Sequence, residues 1–353
     1  MGTRPCDVPR PMTPRARQLE ATGFLVLATV FRSVSFPVIR AMSLIQAETM
    51  PELSTWFTSA VWVIYRFGGA GLIMFLWTAP RLGGLTRLEV EQGLGLGLFS
   101  GAGMVLQVDG LAHTSASTSA FLTQCYCLFI PLWLTLRERR RPPWPVLICC
   151  LVVFLGVAIL ADFDWHHFRL GRGELETILG SVLFTGQILW LQRPKYAHND
   201  VHRFTQVMFL VMALSVLPLA VALTRKPADW LRTGGTPTLL LLLAALIAFS
   251  TFGGFLLMNR WQRFVPAAQA GLIYCAEPVF TSLLVLFLPV WLGRLAGVSY
   301  PNETVTWRLL VGGGLITAAN IALTLVPPPH PPEPGGQPAT VPLARTQGTP
   351  GIG

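Results

Sequence analysis

The feature that most limits what this chain can become is a series of Leu- and Val-rich runs that recurs along nearly its whole length. Each is roughly 18–23 residues long, enough for one helix to cross a hydrocarbon core about 30 Å thick. A soluble core of this size would show shorter apolar runs separated by amphipathic ones. The composition agrees, with 52% hydrophobic and 12% charged residues, about half the charged share of an average soluble domain. The expected fold class is therefore all-α integral membrane, with the lipid bilayer as an obligatory partner.

The runs predict ten transmembrane helices, at about 20–41, 56–78, 92–111, 115–136, 145–162, 174–192, 204–223, 238–258, 267–291 and 306–326. Residues 1–18 are Pro- and Arg-rich and read as a mobile basic tail. Residues 327–353 open on Pro-Pro-Pro-His-Pro-Pro-Glu-Pro-Gly-Gly, which cannot hold a helix and reads as a disordered tail. No small-residue cleavage site follows the first run, so that run is expected to be retained as a span.

The net charge of +9 does not point to nucleic acid, because the basic residues are spread among short loops and line no single face. They act better as topology signals. With the amino terminus on the cytoplasmic side, that side holds 16 Lys and Arg residues, including the Arg137–Arg141 cluster, against 8 on the other. Both termini are then cytoplasmic, and the plasma membrane is the expected location. The loop 225–232 argues against this orientation. The cysteines form no disulfide framework, since Cys125, Cys127, Cys149, Cys150 and Cys275 lie inside apolar runs. Cys125 and Cys127 point about 200° apart on a helix and share no metal, so no cofactor is implied.

Sliding the chain by roughly 150 positions repeats the order of its features: an apolar run, a polar corner, a small-residue run and a proline. Ser119, Thr123 and Cys127 fall on Gln269, Ile273 and Glu277, and Pro131 is answered by Pro278. With five spans per copy, an odd number, the second copy enters the membrane upside down. Residues 19–162 and 173–326 are thus expected to be inverted repeats, and such halves meet at a site near the bilayer midplane.

The residues that could form that site lie in the fourth and ninth runs. Spacing of i, i+4, i+8 puts each of the two triplets on one face, with Tyr126 and Tyr274 beside them. The candidate substrate-binding set is Thr123, Gln124, Tyr126, Gln269, Tyr274 and Glu277, whose hydroxyl, amide and phenol groups suit a small polar solute. The alternative is that hydroxyl and small residues only let helices approach closely. Charges inside spans cost on the order of 2.5–3.5 kcal/mol on insertion scales, so Arg32, Arg66, Asp109 and Glu277 call for reasons. Either they pair inside the bundle and stabilise assembly, or they couple charge or protons to movement, Glu277 foremost. Asp109 and His113 are one turn apart and could pass for an acid/base pair, but snorkelling at a solvated helix end is the simpler reading. Pro131 and Pro278 are candidate hinges, with fixed kinks as the alternative.

The Gly93-Leu-Gly-Leu-Gly97 segment has no preceding strand and no following Lys-Ser/Thr, and reads as a packing face, not a phosphate loop. Asn302-Glu303-Thr304 matches a glycosylation acceptor by pattern. No nucleotide-binding loop and no intramembrane protease motif is present, so the chain is expected not to be an enzyme. Whether it forms a homodimer stays open.

Several segments together resemble the EamA-like branch of the drug/metabolite transporter superfamily: Tyr65-Arg66-Phe67, the run from Gly110 to Thr123, Phe129-Ile130-Pro131-Leu132, Ala276-Glu277-Pro278-Val279-Phe280 and Gly312-Gly313-Gly314-Leu315-Ile316. The resemblance covers nearly everything between residues 20 and 326. It implies a ten-helix inverted-repeat carrier that exports small metabolites, often amino acids or related compounds, by alternating access. Two places depart from the family pattern: Leu292-Gly293-Arg294, where Leu-Gly-Glu is frequent, and Phe31-Arg32-Ser33, where a Trp-Gly-Ser-like corner is usual. Readings kept beside secondary-active export are an uptake carrier or facilitator, a non-transporting scaffold and, last, an intramembrane enzyme using Asp109 and His113.

Overall fold

The computed structural model describes residues 14–78, 84–114, 116–138, 143–160, 171–302, 304 and 306–325. Among these every regular element is a helix. In chain order they are α1 (Pro14–Ser33), α2 (Ser35–Thr49), α3 (Thr55–Thr78), α4 (Arg87–His113), α5 (Ala116–Thr123), α6 (Tyr126–Glu138), α7 (Trp144–Leu160), α8 (Arg172–Leu191), α9 (Val201–Leu223), α10 (Ala228–Gly234), α11 (Pro237–Ala245), α12 (Leu257–Trp261), α13 (Ala267–Tyr274), α14 (Glu277–Leu284), α15 (Leu288–Ala296) and α16 (Trp307–Leu325). A π-helical stretch, Leu246–Leu256, joins α11 to α12. Residues 14–18, expected in the tail, form the first turns of α1. The rest of both tails, the Arg139–Arg141 cluster and Glu303 of the acceptor triplet lie outside the described residues.

Five stretches are long and apolar enough to cross a bilayer: Arg15–Thr49, Thr55–Trp77, Arg87–His113, Val201–Leu223 and Pro237–Phe264. The pair Ala267–Leu284 and Leu288–Ala296, bent by 66°, makes a sixth. The molecule is thus a multi-pass membrane protein. Two of the expected spans come out interrupted. The fifth run is one helix over Trp144–Leu160, and the tenth is one helix over Trp307–Leu325. The fourth run breaks at Gln124–Cys125 and the ninth at Cys275–Ala276. Periodicity did not show these breaks, because each apolar run continues through them. Leu72, Leu76, Leu132, Leu151 and Leu310 point outward, and Trp77, Trp144 and Trp307 stand exposed at helix ends, where amphipathic rings favour the membrane interface.

Helix ends follow from local chemistry. The Thr86 side chain accepts from Glu89 N–H while Glu89 accepts from Thr86 N–H, a reciprocal cap that starts α4. Asp200 caps α9 through the His202 and Arg203 amides, and Thr236 caps α11 ahead of Pro237. The α1–α2 junction falls at Val34, three residues before Pro37, whose missing N–H cannot reach the carbonyl of Ser33.

The middle of the bundle is built on α4, which packs against α8 and α9, while α3 also packs on α9, α7 on α16, and α1 on the π-helical stretch. The glycine segment in α4 is the packing face expected: a Cβ at Gly93 or Gly97 would lie 2.5 Å from Cβ of Val207 or Val211 on α9. Gly97→Val should therefore force the α4–α9 contact apart, at about 1–3 kcal/mol. Thermal unfolding in a bilayer mimetic reads this as a lower Tm. An unchanged Tm would mean that the contact is loose.

Polar contacts gather at two ends. At the end where α1 begins, Gln18 donates to Gln269, Asn199 to Gln92, and Arg203 to the Gly84 carbonyl. At the far end, Arg232 meets Glu52, Trp62 Nε1 donates to the Thr233 carbonyl, and Arg172 meets Asp109.

Candidate functional site

The two broken helices cross one another, α5 lying against α14 and α6 against α13. Their interruptions have related causes. Pro278 is the second residue of α14, so its ring excludes a regular helical link to Tyr274, and the break at Cys275–Ala276 sits where that link fails. Pro131 lies inside α6, and the carbonyl it leaves free, at Cys127, accepts from Cys150 Sγ at 3.4 Å. The break in that run comes earlier, at Gln124–Cys125. Both candidate hinges are thus next to helix breaks, one at the break and one a turn and a half beyond it.

Beside the crossing sits a buried ion pair. Arg32 Nε donates to Glu277 Oε1 at 3.2 Å, with the two side chains 11% and 2% exposed. Ser33 Oγ donates to the Glu277 carbonyl at 3.1 Å, and Ser35 Oγ to the Arg32 carbonyl at 2.6 Å, so the bend in α1–α2 and the break before α14 satisfy each other. Gly254 makes room for the arginine, since a Cβ there would lie 2.6 Å from Arg32 Cγ. The guanidinium also reaches Met258 Sδ at 3.6 Å and lies over the Phe255 ring at 5.4 Å. Tyr126 and Tyr274 are close enough to interact electrostatically with Arg32.

Arg66 enters the same region from α3. Its Nε donates to Thr251 Oγ1 at 2.8 Å and its Nη2 to Ser250 Oγ at 2.7 Å, both in the π-helical stretch. It is 3% exposed and sits near enough to Arg32 for the two cations to repel. A π-helical segment offers carbonyls and side chains at unusual angles and often marks a functional position.

The expected polar stripes do not form one continuous wall, because a break interrupts each i, i+4, i+8 series. Thr123 accepts from Gln107 Nε2 at 2.9 Å on α4, and Gln269 bonds to Gln18 near the start of α1. Tyr274 donates to Gln262 at 2.9 Å. Glu277, Arg32, Arg66, Tyr126 and Tyr274 are brought together. Among the described residues, both amide atoms of Gln124, the Tyr126 hydroxyl, Glu277 Oε2 and the Thr281 hydroxyl are buried without a hydrogen-bond partner. Unpartnered buried polar atoms are costly, and several on neighbouring elements suit a polar solute.

Asp109 stands apart. It is wholly buried and not snorkelling: Arg172 Nη2 lies 2.5 Å from it, and Arg172 Nε lies 2.7 Å from Glu176. Burial this complete requires a counter-ion, which the sequence reading of a solvated helix end omitted. His113 Nε2 is 3.7 Å from Asp109 and meets Thr55, so the network ties α3, α4 and α8 together at the far end. Just there Gly110 and Gly173 press backbone to backbone.

At the opposite end a cavity of about 640 Å³ opens among Gln18, Gln92, Arg193, Asn259, Arg263 and Val265. Asn259 lines it and the adjacent Met258 touches Arg32, so α12 lies between the cavity and the ion pair. Sequence reasoning did not find Ser250, Thr251, Gly254, Arg172 or Glu176. The adjacent hydroxyls Ser250-Thr251 ahead of Gly253-Gly254, inside an apolar run, were the available signal for the first three. Gly254→Ala should push Arg32 off Glu277 and strand both charges, and a lower Tm in a bilayer mimetic is the expected outcome. An unchanged Tm in that variant would show that the arginine gives way without losing its partner.

No family model matches the chain. Over 199 residues it is 25% identical to a protein of Archaeoglobus fulgidus named an uncharacterized transporter, a match that covers 55% of this chain and 60% of that relative. The chain thus spans about three fifths of the length of the curated relative it matches. A protein known from a crystal structure superposes with a TM-score of 0.60 at 18% identity, over 87% of this chain and 97% of the other, a likeness of fold.

Proposed function

We propose that this protein is a secondary transporter that moves a small organic solute across the membrane by alternating access around the Arg32–Glu277 pair. The observation that carries the reading is a buried ion pair at the crossing of two broken helices, with a cavity at one end of the bundle, across α12 from the pair, and an ionic network at the other end. A relative named as a transporter supports the class.

In this reading the chain is a ten-helix bundle of two inverted five-helix halves, with the bent and short helices counted as spans. The contact pattern supports this, since α3 packs on α9, α7 on α16 and α5–α6 across α13–α14, each pair joining an element to its counterpart about 150 residues on. The 640 Å³ cavity faces the cytoplasm, as the loop charges predict. The network of Asp109, Arg172 and Glu176 closes the outer end. The solute enters among Gln92, Asn259 and Val265, contacts Glu277 and Tyr126, and leaves outward when the network parts. Outward movement, both termini in the cytoplasm and a plasma-membrane location complete the reading. It assigns no bond-making step to Asp109 and His113, because Asp109 is committed to Arg172.

The test is flux. Proteoliposomes loaded with a mixture of small metabolites should release a subset, identified by mass spectrometry, at a rate far above empty liposomes. Glu277→Gln should bring that rate to background. Equal retention by wild-type, variant and empty liposomes would sink the proposal.

A further inference from the structure

Two guanidiniums and one carboxylate share the interior of this site. Glu277 is paired with Arg32. Arg66 has no carboxylate within ion-pair distance among the described residues, only Ser250, Thr251, the Met104 sulfur at 4.0 Å and the adjacent Phe67 ring at 4.9 Å. A guanidinium presents five N–H donors, and two of these are met by hydroxyls. A buried cation is tolerated when it is paired and costly when it is not. Arg66 is also held in place rigidly, between α3 and the π-helical stretch, with its planar fork suited to two oxygens at once.

The other open groups near the crossing are of the same kind. The Tyr126 hydroxyl and the Gln124 amide are buried without partners and can donate to an oxygen. At the mouth, Arg193 and Arg263 line the cavity, and among the described residues no acidic side chain lines it. The route is positive and the site carries a net positive charge, two guanidiniums against the one carboxylate of Glu277, which raises the local concentration of anions.

We infer that the transported solute is an organic anion whose carboxylate group binds Arg66. This rests on the transporter reading and names the substrate class of the same site. The carboxylate sits on the free edge of the guanidinium, supplies the missing counter-charge, and leaves the rest of the solute to Tyr126 and Gln124. Arg32 remains with Glu277.

The experiment compares the purified full-length protein with and without a panel of small solutes at constant ionic strength, reading Tm. The panel pairs acetate, pyruvate, succinate and benzoate with their amides, and adds chloride and inorganic phosphate. At least one carboxylate is expected to raise the Tm by roughly 2–4 °C, its amide not at all. Arg66→Gln should weaken that protection by roughly tenfold or more in apparent affinity. Arg66→Lys keeps the charge without the fork, and should retain the preference for anion over amide at lower affinity. Because the guanidinium is unpaired, Arg66→Gln is expected to fold, and an unliganded Tm at or above that of wild type supports the inference. Protection by amides equal to that by carboxylates overturns it, as does protection that survives Arg66→Gln. Protection by chloride or phosphate alone also overturns it, in favour of an inorganic ion. If no member of the panel protects, the carboxylate assignment fails. Isotope exchange of the protecting solute across liposomes separates the two readings: binding without exchange refutes transport and leaves the anion site, while exchange that favours neutral solutes refutes the anion site and leaves transport.

Discussion

Glu277→Gln is expected to destabilise the protein by about 3–5 kcal/mol, because removing one member of a buried ion pair leaves the other charged and alone. Arg32 would keep only Met258 Sδ and the Phe255 ring, neither of which replaces a carboxylate. Changing both residues, Arg32→Gln with Glu277→Gln, removes the stranded charge, and most of the stability should return. Solute movement should not return, since the reading needs the pair itself. The two single variants and the double form a thermodynamic cycle, read by unfolding in a bilayer mimetic, and a strongly non-additive result is expected for residues in direct contact. Additive losses would mean that the 3.2 Å contact contributes little. A double variant that transports normally would remove the pair from the mechanism.

The second large effect belongs to the far end. Asp109 is fully buried against Arg172, and Arg172 in turn holds Glu176, touches Thr55 and lies over the Trp56 ring. Asp109→Asn keeps the shape and removes the charge that binds the half-exposed arginine. The closed far end should lose about 1–2 kcal/mol relative to an open one, a shift of roughly 5–30-fold in population. Thr177, buried just inside the network and bonded to the Gly173 carbonyl, is a suitable reporter. In a background without native cysteines, Thr177→Cys should react slowly with a membrane-impermeant thiol reagent, and several-fold faster once Asp109→Asn is added. No change in rate would mean that the glycine contact alone keeps this end shut.

How much of this was legible in the sequence depends on which property carried it. Apolar run length gave the membrane class and the positions of α3, α4 and α9, since burying a backbone in lipid leaves few other choices. It did not give the breaks at Gln124–Cys125 and Cys275–Ala276, because an apolar run reads the same whether the helix is whole or crossed by another. The cost of an intramembrane charge singled out Arg32, Arg66, Asp109 and Glu277, all of which are buried. Their partners were a different matter. Arg32 and Glu277 are 245 positions apart, and no local pattern joins them. Asp109 read as a solvated helix end because its counter-ion, Arg172, comes from another helix. The stripe through Thr123 and Gln269 was inferred from ideal helical spacing, which the two breaks interrupt. The π-helical stretch that presents Ser250 and Thr251 to Arg66 was hidden for the same reason: a run of Leu, Ala and Phe carries no sign of its hydrogen-bond register.

Alternating access around the ion pair requires that the two ends of the bundle open reciprocally. Labelling Thr177→Cys at the far end and Val265→Cys in the 640 Å³ cavity, each with and without Asp109→Asn, measures this directly. The prediction is that the variant speeds labelling at position 177 and slows it at 265. Acceleration at both positions, or at 177 with no effect on 265, would contradict a coupled two-state carrier and leave only a locally loosened helix end.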